Sequence, residues 1–235
     1  MLQMLNRSQA PMERPNQPET GQSLQTDLPA QARKPDLIVP IRSLGENHRA
    51  RICAHLKALN ANDRYYRFGF PASDTQIERY AESLDFERDE IFGIYNRRLE
   101  LIATAHLAYS SEDRKNAASE FGVSVLAASR GRGFGKRLFE RAMMHARNEG
   151  VQTMFLHVLS ENTIMLNIAR KAGAKVVRDG AESEAHLHLP PSTVNSQITE
   201  MVEEHLAQAN YQIKVQAQQF RAWLERLDSG WRKDN

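Results

Sequence analysis

A short glycine-rich segment constrains this chain more than any other feature of its sequence. Residues 130–136 read Arg-Gly-Arg-Gly-Phe-Gly-Lys, and they stand between a strand-like run at 121–126 and a helix-like run that begins at once. Glycines allow main-chain amides to turn inward without a β-carbon in the way, and the start of a helix carries partial positive charge. A strand, such a loop and a helix in this order predict a site for phosphate oxygens. Arg130, Arg132 and Lys136 would add positive charge there.

The spacing of the glycines excludes two common phosphate-binding motifs. The dinucleotide motif needs Gly-x-Gly-x-x-Gly, but Lys136 stands three residues after Gly133. The P-loop needs Gly-x-x-x-x-Gly-Lys-Ser/Thr, but Arg130 stands five residues before Gly135, and Arg137 replaces the hydroxyl. A glycine-arginine segment that binds RNA is a further alternative, although such segments are usually repeated and disordered.

The patterns on both sides of the loop predict a mixed α/β fold. Apolar residues at helical spacing follow the loop, and β-branched and aromatic runs precede it. The predicted strands are 37–41, 91–95, 99–109, 120–126, 153–159, 175–178 and 184–189, and the predicted helices are 46–59, 73–84, 137–149 and 163–172. We therefore expect a mostly antiparallel sheet with a central βαβ unit.

The chain divides into three predicted parts. Residues 1–35 are rich in Gln, Pro, Asn, Ser and Thr, and we expect a disordered tail. Residues 36–191 form the main domain, and residues 192–235 form a helical extension. The apolar positions of this extension are Ile198, Met201, Val202, Leu206, Ile213, Phe220, Trp223, Leu224 and Leu227. This face either packs back on the domain or pairs with a second copy in a homodimer.

Composition narrows the class of protein. Lys and Arg total 31 against 29 for Asp and Glu, a net charge of +2, so we expect no nucleic-acid partner. A single cysteine, Cys53, cannot form an internal disulfide, which favours a reducing compartment. No apolar run approaches the roughly 18 residues of a membrane span, and no signal-peptide core is present, so we expect a soluble, cytoplasmic protein without a membrane partner.

The loop and the residues after it resemble the GNAT acyltransferases. Their central motif, Arg/Gln-x-x-Gly-x-Gly/Ala at a strand-to-helix turn, stands here as Arg130-x-x-Gly133-x-Gly135. The resemblance continues through the strand that ends near Asn162 and through a helix that ends at Gly173, and it covers roughly residues 36–189.

This resemblance implies acetyl-coenzyme A as acyl donor, no metal, and a V-shaped opening between two central strands. Val123 and Val125 would offer main-chain hydrogen bonds to pantetheine. The amides of the loop would bind the pyrophosphate, namely those of Gly131, Arg132, Gly133, Phe134, Gly135 and Lys136. Asn162 would bind near the cofactor arm, and its position before Thr163 also suits a helix N-cap.

The resemblance also suggests a base. Glu120 stands in Ser119-Glu120-Phe121, which is similar to the Ala-Glu-Phe stretch of bacterial protein-lysine acetyltransferases. The alternative is a solvated carboxylate at a strand end. Many family members use a tyrosine as general acid, but that position is Ala169 here. His157 or His106 could donate or relay a proton instead, although a strand histidine is more often simply packed and hydrogen-bonded. Tyr109, Tyr65 and Tyr66 are further candidates.

The acceptor site depends on other residues. Residues 63–68 read Asp-Arg-Tyr-Tyr-Arg-Phe and join two predicted helices, either as a pocket wall or as packing under the sheet. His186 and His188 share a strand face, which suits a metal pair, but without a third ligand we favour an edge-strand face. We expect an N-acetyltransferase that acts on a primary amine, in a small molecule or a protein lysine. The alternative is a catalytically weak acyl-coenzyme A sensor.

Overall fold

The computed structural model describes residues 39–111, 113 and 117–231. The predicted tail at residues 1–35 lies outside the described residues. Seven strands form one sheet: β1 (Arg42–Ser43), β2 (Glu90–Tyr95), β3 (Leu101–Tyr109), β4 (Ala118–Val125), β5 (Thr153–Leu159), β6 (Lys175–Asp179) and β7 (Glu182–His188). Their order is β1-β2-β3-β4-β5-β7-β6, and only β4 and β5 are parallel. The predicted mixed fold with a central βαβ unit is confirmed.

Six helices accompany the sheet: α1 (Arg49–Lys57), α2 (Ala61–Phe68), α3 (Asp74–Glu82), α4 (Phe134–Asn148), α5 (Thr163–Lys171) and α6 (Val194–Trp231). Helix α4 packs on β3 and β4, and α1 packs on α3 and β3. Two apolar clusters result. One contains Phe121, Leu138, Phe139 and Leu156, and the other contains Ile52, Leu56, Ile77 and Ile91.

Local chemistry explains where two of these helices begin and end. Ser73 and Gln76 form the predicted capping box at the start of α3. Gln76 N donates to Ser73 Oγ, and Ser73 N donates to Gln76 Oε1. The Asn60 side chain caps α2 by accepting a hydrogen bond from Asp63 N at 2.9 Å. Gly69 ends α2 in the left-handed region, at φ 77°.

Two sequence-based predictions are wrong. Of the strand predicted at 37–41, the first two residues lie outside the described residues and 39–41 are not in the sheet; the first strand is Arg42–Ser43, which pairs with Gly93 and Phe92 of β2. Residues 63–68 belong to a helix, α2, rather than to a connecting segment. The Asn60 cap and the Gly69 stop were the signals for this helix.

Helix α6 packs back on the domain through its first half. Arg141 of α4 is buried and ion-pairs with Glu200, Glu203 and Glu204. Lys214 reaches the main chain of β2, where it donates to the Tyr95 carbonyl at 3.0 Å. The side chains predicted at Phe220, Trp223, Leu224 and Leu227 lie outside those that the structure describes.

Candidate active site

The parallel strands β4 and β5 form a fork. They pair only through residues 118–120 and 153–155, and Glu120 opposite Phe155 is the last pair. Beyond it, β4 stays paired with β3 as far as Val125, while β5 stays paired with β7 as far as Leu159. The two strands therefore separate in the middle of the sheet and leave room for a ligand between them.

The glycine-rich loop closes one end of this fork. Gly131 and Gly133 have φ values of 73° and 75°, in the left-handed region that side chains with a β-carbon rarely adopt. Helix α4 starts directly afterwards, and its first main-chain hydrogen bond runs from Arg137 N to Gly133 O at 3.1 Å. The amides of Phe134, Gly135 and Lys136 thus precede the helical ladder and remain available to an anion.

A cleft of about 420 Å³ joins the fork to this loop. Nine of the ten residues predicted to contact the cofactor line it: Val123, Val125, Arg130, Gly131, Gly133, Phe134, Gly135, Lys136 and Asn162. The tenth, Arg132, is not part of the lining, and its guanidinium carbon lies 4.9 Å from the centre of the Phe134 ring. The positive φ glycines, the free amides and the two cations fit a pyrophosphate group.

Asn162 caps helix α5 and also lies in the cleft wall, and its contact with the cofactor arm stays a prediction. Its side chain caps α5 by accepting a hydrogen bond from Met165 N at 3.2 Å. The residue also lines the cleft. A cap and a cleft wall are therefore compatible at this position.

The two candidate catalytic residues lie on one face of the sheet, beside the fork. Residues 120 and 155 are register partners, so Glu120 and Phe155 share a face, and His157 lies two positions further along β5 on that face. Both Glu120 and His157 are exposed, and neither is part of the cleft lining. Ala169, the position of the family tyrosine, is fully buried in the core.

Helix α2 contributes three residues to the lining of the cleft. Asp63, Tyr66 and Arg67 lie on the face of α2 that borders the fork. Asp63 is buried and ion-pairs with Arg130 of the glycine-rich loop. The segment therefore forms a cleft wall, as one of the two interpretations of its sequence expected, while Arg64 pairs with Asp74 at 2.8 Å.

A hydrogen-bonded chain holds Arg67 in place. Arg67 Nη2 donates to the Tyr80 hydroxyl at 2.6 Å, and this hydroxyl lies 2.7 Å from His106 Nδ1. His106 Nε2 lies 2.9 Å from Asp89 Oδ2. Because the Asp89 carboxylate can only accept, a neutral His106 carries its proton on Nε2, and its Nδ1 then accepts the Tyr80 proton. His106 therefore orients a cleft residue from behind.

Asp89 anchors this chain as a carboxylate. Burial raises the pKa of its carboxyl, but hydrogen bonds from His106 and Arg88 and from the Tyr109 amide outweigh burial and hold the pKa well below its usual range. The negative charge is therefore kept at neutral pH. It fixes the tautomer of His106 and, through Tyr80, the position of Arg67.

Ser124, also in the cleft wall, is held by a neutral histidine. His55 Nδ1 lies 2.8 Å from the Leu101 carbonyl, which can only accept, so the proton is on Nδ1. His55 Nε2 then accepts from Ser124 Oγ at 2.8 Å. Burial lowers the pKa of His55 to about 4, although the Leu101 carbonyl opposes this shift.

Among the described residues, no group of three or more His, Cys, Asp or Glu side chains is arranged to hold a metal ion. His186 and His188 lie exposed on β7, where His186 Nε2 is 3.3 Å from a Glu184 oxygen.

In the part of the chain that the structure describes, no helix is both long and apolar enough to cross a membrane.

The fold and the cleft together define an acyl-coenzyme A-dependent acyltransferase of the N-acetyltransferase class. The sequence model of the acetyltransferase (GNAT) family matches residues 53–174, a little more than half of the chain. The protein belongs to this family.

Solved structures of the same fold include several acetyltransferases. The GNAT domain of Streptomyces lividans PAT is 22% identical, with a TM-score of 0.53 over 63% of this chain and 89% of that one. A phosphinothricin acetyltransferase from Sinorhizobium meliloti, solved with AcCoA, is 14% identical, with a TM-score of 0.53 over 67% and 91%. Spermidine N-acetyltransferase from Vibrio cholerae, solved with CoA and spermine, is 19% identical, with a TM-score of 0.50 over 63% and 94%. At these identities the likeness concerns the fold.

Proposed function

We propose that this protein transfers an acetyl group from acetyl-coenzyme A to a primary amine by direct attack. The observation that carries the proposal is the fork between β4 and β5, which opens onto a loop with left-handed glycines, free helix amides and the cations Arg130 and Lys136. A pyrophosphate at the loop would direct a pantetheine arm along β4, past Val123 and Val125.

Acetyl-coenzyme A supplies an acyl group activated as a thioester. The amine of the acceptor attacks this carbonyl, so that a C–N bond forms while the C–S bond breaks, and no acyl group is carried by the protein. Main-chain amides of β4 at the thioester end of the arm would stabilise negative charge on the carbonyl oxygen. Arg67, which lies beside the same strand, adds a fixed positive charge to this wall.

Glu120 is the proposed base. Its carboxylate lies on the exposed face at the last β4–β5 pair, where a water or an entering amine can reach it. It would accept the proton that the ammonium must lose before attack, directly or through water. His157, on the same face of β5, is the proposed proton donor to the departing thiolate.

The Glu120→Gln variant tests this assignment. It keeps the size of the side chain and removes the base, so turnover should fall by about 100-fold or more while the Kd for acetyl-coenzyme A stays nearly unchanged. The matched control is Glu182→Gln, an exposed carboxylate on β7 whose register partner is Leu159, and its turnover should stay near the native value. Unchanged turnover in Glu120→Gln would remove Glu120 as the base.

The acceptor is proposed to be an amine of a small molecule or a protein lysine. Spermine, named in the V. cholerae structure, is one reasonable member of a first screen. A screen in which native protein binds acetyl-coenzyme A but acetylates no amine or lysine peptide would favour a sensor instead. A cytoplasmic location, based on the single cysteine, is part of the proposal.

We further propose that α6 contributes to a homodimer. Among the side chains that the structure describes on α6, six large apolar ones are exposed: Val194, Ile198, Met201, Val202, Leu206 and Ile213. Their face is separate from the carboxylates that bind Arg141, and a twofold contact between two copies would cover it. Light scattering on the native protein and on Val202→Glu/Leu206→Glu tests this proposal. A native monomer would contradict it.

A further inference from the structure

Asp63 is a buried carboxylate in a cleft that is otherwise suited to anions. Its side chain is 5% exposed, yet the residue lines the cleft. Oδ1 is paired with the Arg130 guanidinium, and Oδ2 has no hydrogen-bond partner among the described residues. A carboxylate in such surroundings is costly unless a cation neutralises it.

Arg130 cannot serve Asp63 and the cofactor equally well. It is the first residue of the glycine-rich loop, and its side chain is 48% exposed, so it borders both Asp63 and the open cleft. A pyrophosphate carries more negative charge than a carboxylate and binds a guanidinium in a fork-like arrangement. The same phosphates repel the Asp63 carboxylate, which gives this residue no favourable part in holding the cofactor.

We propose that Asp63 binds the ammonium group of the acceptor, and that the cofactor phosphates expose this position by drawing Arg130 away. The inference deepens the proposed function and rests on it. In the empty cleft Arg130 occupies the place of the ammonium. In the loaded cleft the carboxylate faces the acceptor side, where Tyr66 and Arg67 of the same helix form the neighbouring wall. The acceptor class is therefore a cationic primary amine.

The first test asks whether Asp63→Asn strengthens or weakens the binding of coenzyme A. Asp63→Asn removes the competitor for Arg130, so the Kd for coenzyme A, measured by titration calorimetry, should fall by about threefold to tenfold. The Kd for pantetheine, which lacks the phosphates, should not change. If Asp63 only holds Arg130 in place for the phosphates, Asp63→Asn will weaken coenzyme A binding, and the inference is overturned.

The second test uses ethylammonium chloride, a small cation with the reacting group of the acceptor, detected by saturation-transfer NMR. The native protein with coenzyme A should bind it, the native protein alone should bind it weakly, and Asp63→Asn with coenzyme A should not. Arg130→Ala should bind it even without coenzyme A, because the carboxylate is then uncovered; this arm remains decisive if Asp63→Asn fails to fold.

Failure of the proposed function and failure of the Asp63 assignment give different experimental results. Native protein that does not bind coenzyme A would overturn the proposed function itself. Native protein that binds coenzyme A, but whose complex gives no ethylammonium signal, would overturn only the assignment of Asp63.

Discussion

The guanidinium group of Arg67 rests directly on the main chain of Gly122 in the central strand β4. A β-carbon at residue 122 would stand 2.8 Å from the guanidinium carbon of Arg67. The absence of a side chain at residue 122 therefore lets a charged group rest on the main chain of β4, two residues from Glu120 and two from Ser124. Tyr80 fixes the guanidinium from the other side.

Gly122→Ala should displace Arg67 and lower kcat/KM by about tenfold or more, because a catalytic wall tolerates little misplacement. The melting temperature should change little, since the added methyl meets the far end of a flexible side chain. The contrasting variant is Gly93→Ala, whose β-carbon would stand 2.6 Å from Leu44 Cδ1 and 2.7 Å from Leu101 Cδ1. It should cost about 1–3 kcal/mol of stability by overpacking the core. Full activity in Gly122→Ala would show that the position of Arg67 does not matter.

The buried neutral His55 predicts a loss of stability in mild acid. Its pKa is lowered to about 4 in the folded protein, from about 6.5 in the unfolded chain. The unfolded state therefore binds a proton first as pH falls, so stability is full above about pH 6.5 and declines until about pH 4. The contribution of this one group amounts to about 3 kcal/mol.

Urea unfolding at pH 7 and at pH 4.5 measures this dependence. His55→Gln should be less stable than the native protein at pH 7 but should lose less stability between the two pH values. His188→Gln, which changes an exposed histidine on β7, should follow the native protein. Identical pH dependence in His55→Gln and the native protein would contradict the assigned protonation state.

The attachment of α6 depends on Arg141. Its side chain is buried and faces the carboxylates of Glu200, Glu203 and Glu204. Although burial raises the pKa of the Glu200 carboxyl, a hydrogen bond from His145 lowers it and keeps the group charged. Arg141→Met should remove the ion pairs to these partly exposed carboxylates and cost about 1–3 kcal/mol.

Hydrogen exchange measures this effect locally. Amides in the first half of α6 should lose protection in Arg141→Met, while those of β3 and β4 keep it. Glu140→Gln removes an exposed pair with Lys136 one turn along α4 and should change little. Unchanged protection of α6 in Arg141→Met would place the attachment elsewhere.

Sequence was most informative where the determining interactions are local. The capping box at Ser73 and Gln76 depends on four consecutive residues, and the phosphate loop depends on a few glycines followed by a helix. The capping box and the glycine turn that leads directly into α4 appear as predicted, while phosphate binding by the loop stays a prediction. Helix α2 was missed, although its Asn60 cap and Gly69 stop are local signals, because its sequence lacks a long apolar stripe.

The rest of the site depends on contacts between distant segments. Tyr80, His106 and Asp89 come from a helix, a strand and a loop, and no spacing rule joins them. The pairing of Asp63 with Arg130 likewise needs α2 and the loop to meet across the fork. Such contacts follow from the order of strands in the sheet, which local patterns do not determine.

Titration calorimetry with coenzyme A tests the central claim most directly. The native protein should bind with micromolar affinity, and Gly133→Asp/Gly135→Asp should not bind, because the new carboxylates stand where the pyrophosphate would lie. Gly180→Asp is the matched control, since Gly180 also has a positive φ, 58°, but lies in the β6–β7 turn away from the cleft. Affinity retained in Gly180→Asp and lost in the folded double variant is the predicted result. A native protein that does not bind coenzyme A, or a double variant that binds equally well, would contradict the account.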